Sequence, residues 1–120
     1  MPEKVNLARK LAGFTEVYKP KIVGELNGQL VKVVKFEGPF TWHSHEHEDE
    51  LFLVLEGRIR ILLRDREVAL EEGEFLIVPR GVEHKPVADE VASVLLFEPA
   101  TTLNTGDVRN EFTVAELDRI

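Results

Sequence analysis

Short apolar runs alternate with turn residues along most of the chain. In the segment RIRILLR, Ile59, Ile61 and Leu63 fall on one face of an extended strand and the arginines on the other. The runs LFLVL and FLIV are apolar at successive positions, which predicts strands covered on both sides, as in a barrel within a dimer. Asn27 and Gly28 separate PKIVGEL from QLVKVVKF and are typical of a tight type I′ hairpin.

The remaining runs predict closely spaced strands with breaks at Gly57, Gly73 and Gly81. These runs are FTWHSH, ELFLVLEG, RIRILLR, EVALEEG, EFLIVPR, VEHKPVA and VASVLLFEP. Strands of this length and spacing favour an all-β sandwich or barrel. Short helices are expected at both ends, one beginning after the N-cap Asn6 and one in TVAELDRI, where a threonine and a glutamate have capping-box spacing. We expect a single domain over residues 1–120, with the barrel core at roughly 20–99.

Composition narrows the range of partners. Hydrophobic residues make up 43% and charged residues 31% of the 120-residue chain, a balance typical of a folded globular protein. The formal charge is -7 and no basic stripe occurs, so nucleic acid is not an expected partner. No long apolar run and no secretory h-region are seen, so we expect no membrane partner and a cytoplasmic location. Because the chain has no cysteine, any metal must be held by nitrogen and oxygen.

Three of the four histidines lie within the segment WHSHEHEDE. In an extended chain His43 and His45 point to the same side, about 7 Å apart along the backbone. A reversal through EHED would bring Glu50 beside them. His84 follows a turn shaped by Pro79 and a glycine, as expected if the chain is re-aimed to deliver one side chain into this site. Three imidazoles and one carboxylate suit a divalent metal and leave coordination positions open for water or substrate.

These residues resemble the two signature motifs of the cupin superfamily. The first motif is matched by Gly38, the H-x-H pair, Glu50 and Gly57, with a spacer of four residues between Gly38 and His43 where the family usually has five. The second is matched by GEFLIVPRGVEHKPVA, in which Ala88 stands where the family has asparagine. Together with the order of strands and the tail LNTGDVRNE, the motifs make nearly the whole chain similar to small stand-alone prokaryotic cupins of the mannose-6-phosphate isomerase-like kind.

The resemblance implies a double-stranded β-helix barrel of the jelly-roll type, usually a homodimer, with a metal near one mouth. It implies the ligands His43, His45, Glu50 and His84, and a metal that is manganese, iron, nickel, copper, cobalt or zinc. The predicted function is that of a metal-dependent enzyme, dioxygenase-like or isomerase-like, acting on a small polar organic molecule. The alternative is a non-catalytic metal-containing module that binds or senses a small molecule.

Neighbouring residues leave two interpretations open. His47 is a fifth ligand or general acid/base if the strand continues past His45, and a surface or rim residue if EHEDE is a solvated turn, which we favour. Phe52 and Val54 have the parity of Glu50, so they are expected to form an apolar wall of the substrate pocket. Trp42 has the opposite parity to the two ligand histidines and is expected outside the barrel.

Overall fold

The structure is a computed structural model that describes residues 2–120. One helix precedes eight strands in this range. The elements in chain order are α1 (Leu7–Ala12), β1 (Lys21–Leu26), β2 (Gln29–Pro39), β3 (Glu50–Glu56), β4 (Ile59–Leu63), β5 (Glu67–Leu70), β6 (Phe75–Val78), β7 (His84–Pro99) and β8 (Asp118–Arg119). The all-β prediction is confirmed, and the Asn6 side chain caps α1 by accepting a hydrogen bond from the Arg9 backbone N–H.

Strand β7 connects the two halves of the barrel. Its first residues pair with β4 and with the end of β2, and its second half lies between β2 and β3. All of these pairings are antiparallel, and β6 adds to the outer side of β3. The sequence predicted two strands, VEHKPVA and VASVLLFEP. The structure merges them into one strand of 16 residues, because its bulged middle bends without interrupting the pairing with β2.

The hairpin between β1 and β2 has the predicted geometry. Asn27 and Gly28 both have positive φ, at 51° and 78°, as a type I′ turn requires. Inward-facing residues of six strands then form one core with Tyr18 and Phe40. The strand members of this core are Val34, Phe36, Phe52, Val54, Ile59, Ile61, Leu70, Val78, Ala88, Ala92, Val94 and Leu96.

The predicted C-terminal helix is wrong. The Thr113 hydroxyl accepts from the backbone N–H of Asn110, and the backbone N–H of Val114 donates to Oδ1 of Asn104. Asp118 and Arg119 then pair in parallel with β1. Local hydrogen bonds and strand pairing with β1 therefore satisfy the backbone groups that a short helix would have used.

Candidate metal centre

Four polar side chains converge inside one end of the barrel. His43, His45, Glu50 and His84 are all buried, and one ligand atom from each lies within 4.8 Å of the other three. A metal with bonds of about 2.1 Å holds its ligand atoms about 3 to 4 Å apart, so small side-chain movements suffice to close these atoms on one ion. The structure therefore brings together the four residues that the sequence singled out.

Backbone pairing holds two of the histidines against each other. His43 lies outside the regular strands, contrary to the predicted strand in FTWHSH, and forms an isolated bridge with the first residue of β7, His84. The His43 backbone N–H donates to the carbonyl of His84, and the His84 N–H donates back at 2.9 Å. Gly81 donates to the carbonyl of His45. Distant segments are thus joined at the site itself.

The carboxylate ligand enters from the turn between the histidines and β3. Asp49 Oδ1 accepts a 2.9 Å hydrogen bond from the backbone N–H of Arg80, and the two side chains form an exposed ion pair. Glu50 is the next residue and the first of β3, and its side chain points inward. The predicted reversal through EHED is therefore real, and it is anchored to the turn that precedes His84.

Backbone carbonyls orient two of the imidazoles. Nδ1 of His43 lies 2.9 Å from the Thr41 carbonyl, and Nδ1 of His84 lies 2.9 Å from the Val82 carbonyl. A carbonyl oxygen can only accept, so each Nδ1 carries a hydrogen, and in the neutral ring Nε2 is the nitrogen with the lone pair. This is the arrangement that a metal-binding histidine usually has.

His45 supplies the test of whether these residues fit a metal ion. Neither of its ring nitrogens has a hydrogen-bond partner, although both are buried. Its Nε2 and the Nε2 of His84 each lie 3.3 Å from Oε1 of Glu50. A buried polar atom without a partner is costly, and a cation between these four side chains would supply the missing interaction. The donor set fits a divalent metal.

Charges around the site shift several pKa values. Burial, followed by the nearby charge of His84, lowers the pKa of His43 to about 4. Burial pushes the pKa of Glu50 upward, but the close polar side chains of Glu98, His45 and His84 outweigh burial and hold that pKa well below its ordinary range. Burial and the charge of Glu50 raise the pKa of Glu98 well above its ordinary value. At neutral pH the site therefore offers a neutral imidazole at His43 and an ionised carboxylate at Glu50.

Two charged residues near the site were missed from the sequence. Lys32 and Glu98 form a buried ion pair in the barrel, with 2.7 Å between Nζ and Oε1. A signal existed, because Lys32 has the parity of the core residues Val34 and Phe36, and Glu98 has the parity of Leu96. Lysine and glutamate are rarely inside, so residue type favoured the outside for both.

An apolar cavity adjoins the cluster. His43 and Glu50 line it together with Tyr18, Phe40 and Phe52, and the other lining residues are Pro20, Val34, Phe36, Pro86, Leu96 and Asn104. The cavity volume is about 20 Å³, enough for about one water molecule. The predicted wall residue Phe52 lines this cavity, whereas Val54 lies in the core beyond the lining residues.

The remaining predicted residues lie at the surface. The His47 side chain is 79% exposed, and it lines a surface depression with His45, Thr101 and Asp107. Trp42 is half-buried and stacks under the guanidinium of Arg64, with Cζ 3.8 Å from the ring centroid. The structure places His47 at the rim, apart from the four converging side chains.

The irregular C-terminal tail completes one side of the site. The backbone N–H of Ser44 donates to Oδ1 of Asp107, and the Asp107 N–H donates to the Ser44 carbonyl. Phe112 packs against Tyr18 and Phe40, at ring-centroid distances of 5.7 and 5.1 Å. Nothing in the local pattern of TGDVRNE indicated this contact with the histidine segment.

Comparison with known proteins agrees with this geometry. The Cupin_2 family, described as the cupin domain, matches residues 30–98. The chain belongs to the cupin domain family. A cupin-2 domain protein from Shewanella frigidimarina is 40% identical in sequence, with a TM-score of 0.78 over 79% of this cupin and 93% of that chain. The comparison agrees with a cupin jelly-roll barrel over the part of the chain that the match covers.

Two curated relatives come from Bacillus subtilis. The uncharacterized protein YdbB is 39% identical over 64 residues, which cover 52% of this cupin and 57% of YdbB. Quercetin 2,3-dioxygenase is 36% identical over 84 residues, covering 61% of this cupin and 25% of that protein. This cupin therefore spans less than two thirds of either relative. Within residues 2–120, no helix is both long and apolar enough to cross a membrane.

Proposed function

We propose that this cupin binds a divalent metal through His43, His45, Glu50 and His84 and acts on a small organic molecule at that metal. The observation that carries the proposal is the convergence of four buried donors around a histidine whose two nitrogens have no other partner. When bound, the metal supplies Lewis-acid or dioxygen chemistry. Manganese, iron, nickel, copper, cobalt and zinc all suit nitrogen and oxygen donors of this kind.

The cavity beside the cluster supports a ligand with a polar end and an apolar end. Oxygen donors at one end would approach the metal, while an apolar portion would contact the aromatic wall at Phe40 and Phe52. Since the present space holds about one water molecule, the lining rings or the tail must move to admit an organic ligand. The relative named quercetin 2,3-dioxygenase supports a dioxygen-dependent reaction. An isomerase-like reaction, as in mannose-6-phosphate isomerase-like cupins, stays a prediction.

One observation favours the non-catalytic alternative. Besides the proposed ligands, the polar side chains that line the cavity are Tyr18 and Asn104, and both are already engaged. The Tyr18 hydroxyl donates to the Gly38 carbonyl, and the Asn104 amide bonds the backbone of Phe112 and Val114. No free general acid or base therefore lines the cavity in the described chain. A binding or sensing module would need none.

Elemental analysis of protein purified without an affinity tag tests the metal site. We expect close to one divalent metal per chain, lost on His84→Ala because three donors remain of four. The matched control is His47→Ala, which removes an exposed histidine of the same cluster in sequence and should leave metal content unchanged. Retention of metal by His84→Ala would contradict the ligand set, and loss in His47→Ala would make that residue a ligand.

Turnover distinguishes the enzyme from the binding module. Oxygen uptake by the metal-loaded protein would be screened against phenolic, dicarbonyl and sugar-phosphate compounds, with calorimetry on the same compounds. Uptake that disappears in His84→Ala supports a dioxygenase. Binding without oxygen uptake or product supports the non-catalytic module.

We also propose that the outer face of β3 and β6 is covered by a second copy of this cupin. Phe75 and Ile77 are 59% and 52% exposed, and their partners across the ladder are Leu53 and Leu51. These four residues, called here the β3–β6 patch, contain no charge, so two copies of a chain with net charge -7 can meet there without opposing like charges. The cytoplasmic location stays a prediction.

A further inference from the structure

A buried ion pair lies inside the barrel, close to the donor cluster. Nζ of Lys32 on β2 is 2.7 Å from Oε1 of Glu98 on β7, and each side chain is only 1% exposed. Burying a lysine and a glutamate away from water costs free energy, and well-packed apolar residues at such positions are often as stable or more stable. Stability of the fold alone does not explain this pair.

Strand register places the pair next to the carboxylate ligand. Leu51 of β3 pairs with Phe97 of β7, so Glu50 and Glu98 are the next neighbours along the same two strands. Both point into the barrel, as their burial shows. Lys32 lies on the inward face of β2, diagonal to Glu98 across the β2–β7 ladder.

Glu98 connects the lysine to the cluster. It accepts a hydrogen bond from Lys32 through Oε1, and strand register places its side chain directly across from that of Glu50 on the inner face of the barrel. Glu50 presents Oε1 to Nε2 of His45 and His84, at 3.3 Å from each. A row of inward polar side chains therefore runs from β2 through Glu98 and Glu50 to the donor atoms.

We propose that Lys32 and Glu98 are positioning residues that hold Glu50 in the orientation that a divalent cation needs. The inference rests on the proposed metal site. A glutamate has three rotatable bonds, and the next inward residue on its strand, Phe52, offers no polar group to fix the carboxylate. Glu98 supplies that contact, and Lys32 holds Glu98. Partners of metal ligands commonly change metal affinity by about 10- to 100-fold when they are removed.

The decisive variant removes both members together, as Lys32→Met with Glu98→Leu, so that neither charge is left buried without its partner. We expect a folded protein with a thermal midpoint at or above that of the wild type. Its Kd for Co²⁺, measured by chelator competition on the full tag-free chain, should rise by about 10- to 100-fold. The visible absorption of bound Co²⁺ should change as well, because it reports the position of the carboxylate.

Two control variants separate positioning from a general loss of structure. Glu98→Gln keeps a polar head of the same size that can contact both Lys32 and Glu50, so it should keep most of the Co²⁺ affinity. Lys21→Met removes another buried lysine, whose Nζ lies 2.7 Å from Glu16 and takes no part in the row of contacts that leads to the cluster. It should lower stability and leave Co²⁺ affinity and absorption unchanged.

The outcomes distinguish this inference from the metal site itself. A folded double variant with the Co²⁺ affinity and absorption of the wild type overturns the positioning role and leaves the metal site intact. If the wild type binds no Co²⁺, the proposed metal site is wrong and the positioning role fails with it. Should the double variant not fold, Lys32→Met with Glu98→Ala replaces it, under the same two criteria.

Discussion

At the scale of single residues, burial sets the protonation state of His43. His43 loses most of its contact with water, and its Nδ1 is fixed by the Thr41 carbonyl, so its pKa of about 4 keeps the ring neutral near pH 7. The same backbone contact fixes His84 through Val82. Both rings are therefore held with Nε2 directed at the site, where it can bind an ion.

The lowered pKa of His43 predicts how the metal-free protein responds to acid. Between the ordinary pKa of 6.5 and about 4, the unfolded chain binds a proton at this residue and the folded chain does not. The free energy of unfolding should therefore fall by up to about 1.4 kcal/mol per pH unit for this one group as the pH falls. Above pH 6.5 the residue is neutral in both states and adds no slope.

Urea unfolding of chelator-treated protein at about pH 7.5 and about pH 5 measures this dependence. His43→Gln should remove the residue's share of the slope. His47→Gln, which replaces an exposed ring, should keep it. An unchanged slope in His43→Gln would show that the buried ring is not responsible.

At the scale of elements, strands were predicted better than the segments between them. Alternation and the Asn27-Gly28 turn were sufficient for the β1–β2 hairpin, because its pairing is local. The C-terminal helix was wrong because Asn104, ten residues earlier, takes the Val114 N–H. A capping box describes only neighbouring residues, so it could not report this contact.

The tail makes a close backbone contact that can be tested at Gly106. Its φ is 57°, and a Cβ there would lie 2.1 Å from the carbonyl oxygen of Ser44. We expect Gly106→Ala to destabilise the protein by more than the roughly 1–3 kcal/mol of backbone strain alone, since the tail must also move away from the histidine segment. Hydrogen exchange of the Asp107 amide, which donates to Ser44, should become faster.

Gly73→Ala is the matched control for this contact. Gly73 also has positive φ, at 82°, but nothing lies within 4 Å of an added Cβ. Gly73→Ala should therefore lose stability through backbone strain alone, without a steric clash. Equal losses in the two variants would mean that the approach of Gly106 to Ser44 contributes nothing.

At the scale of the whole molecule, the proposed dimer rests on the β3–β6 patch. The predicted cover on both sides of FLIV is not provided within the chain, since Phe75 and Ile77 remain exposed. Phe75→Asp with Ile77→Asp should convert a dimer into a monomer in light scattering, because charges would then face each other across a symmetric interface. Metal content should not change, as neither residue is part of the cluster.

Val91→Asp is the control for that experiment. Val91 is similarly exposed, at 51%, but it lies at the bend of β7 away from the patch. It should leave the dimer intact. A monomeric wild type would contradict the dimer. If the variant with both patch substitutions is still a dimer, the interface lies on another face.

The amino-acid sequence by itself determined the β architecture and the four candidate ligands, because strand alternation and short motifs are properties of neighbouring positions. Only the tertiary structure decided what surrounds them. Glu98 lies across from Glu50 on a neighbouring strand, and the tail contacts Ser44, so both neighbours come from segments far apart in the chain. Whether an inward lysine is tolerated depends on the partner that another strand places opposite it, and no local pattern of residues contains that information.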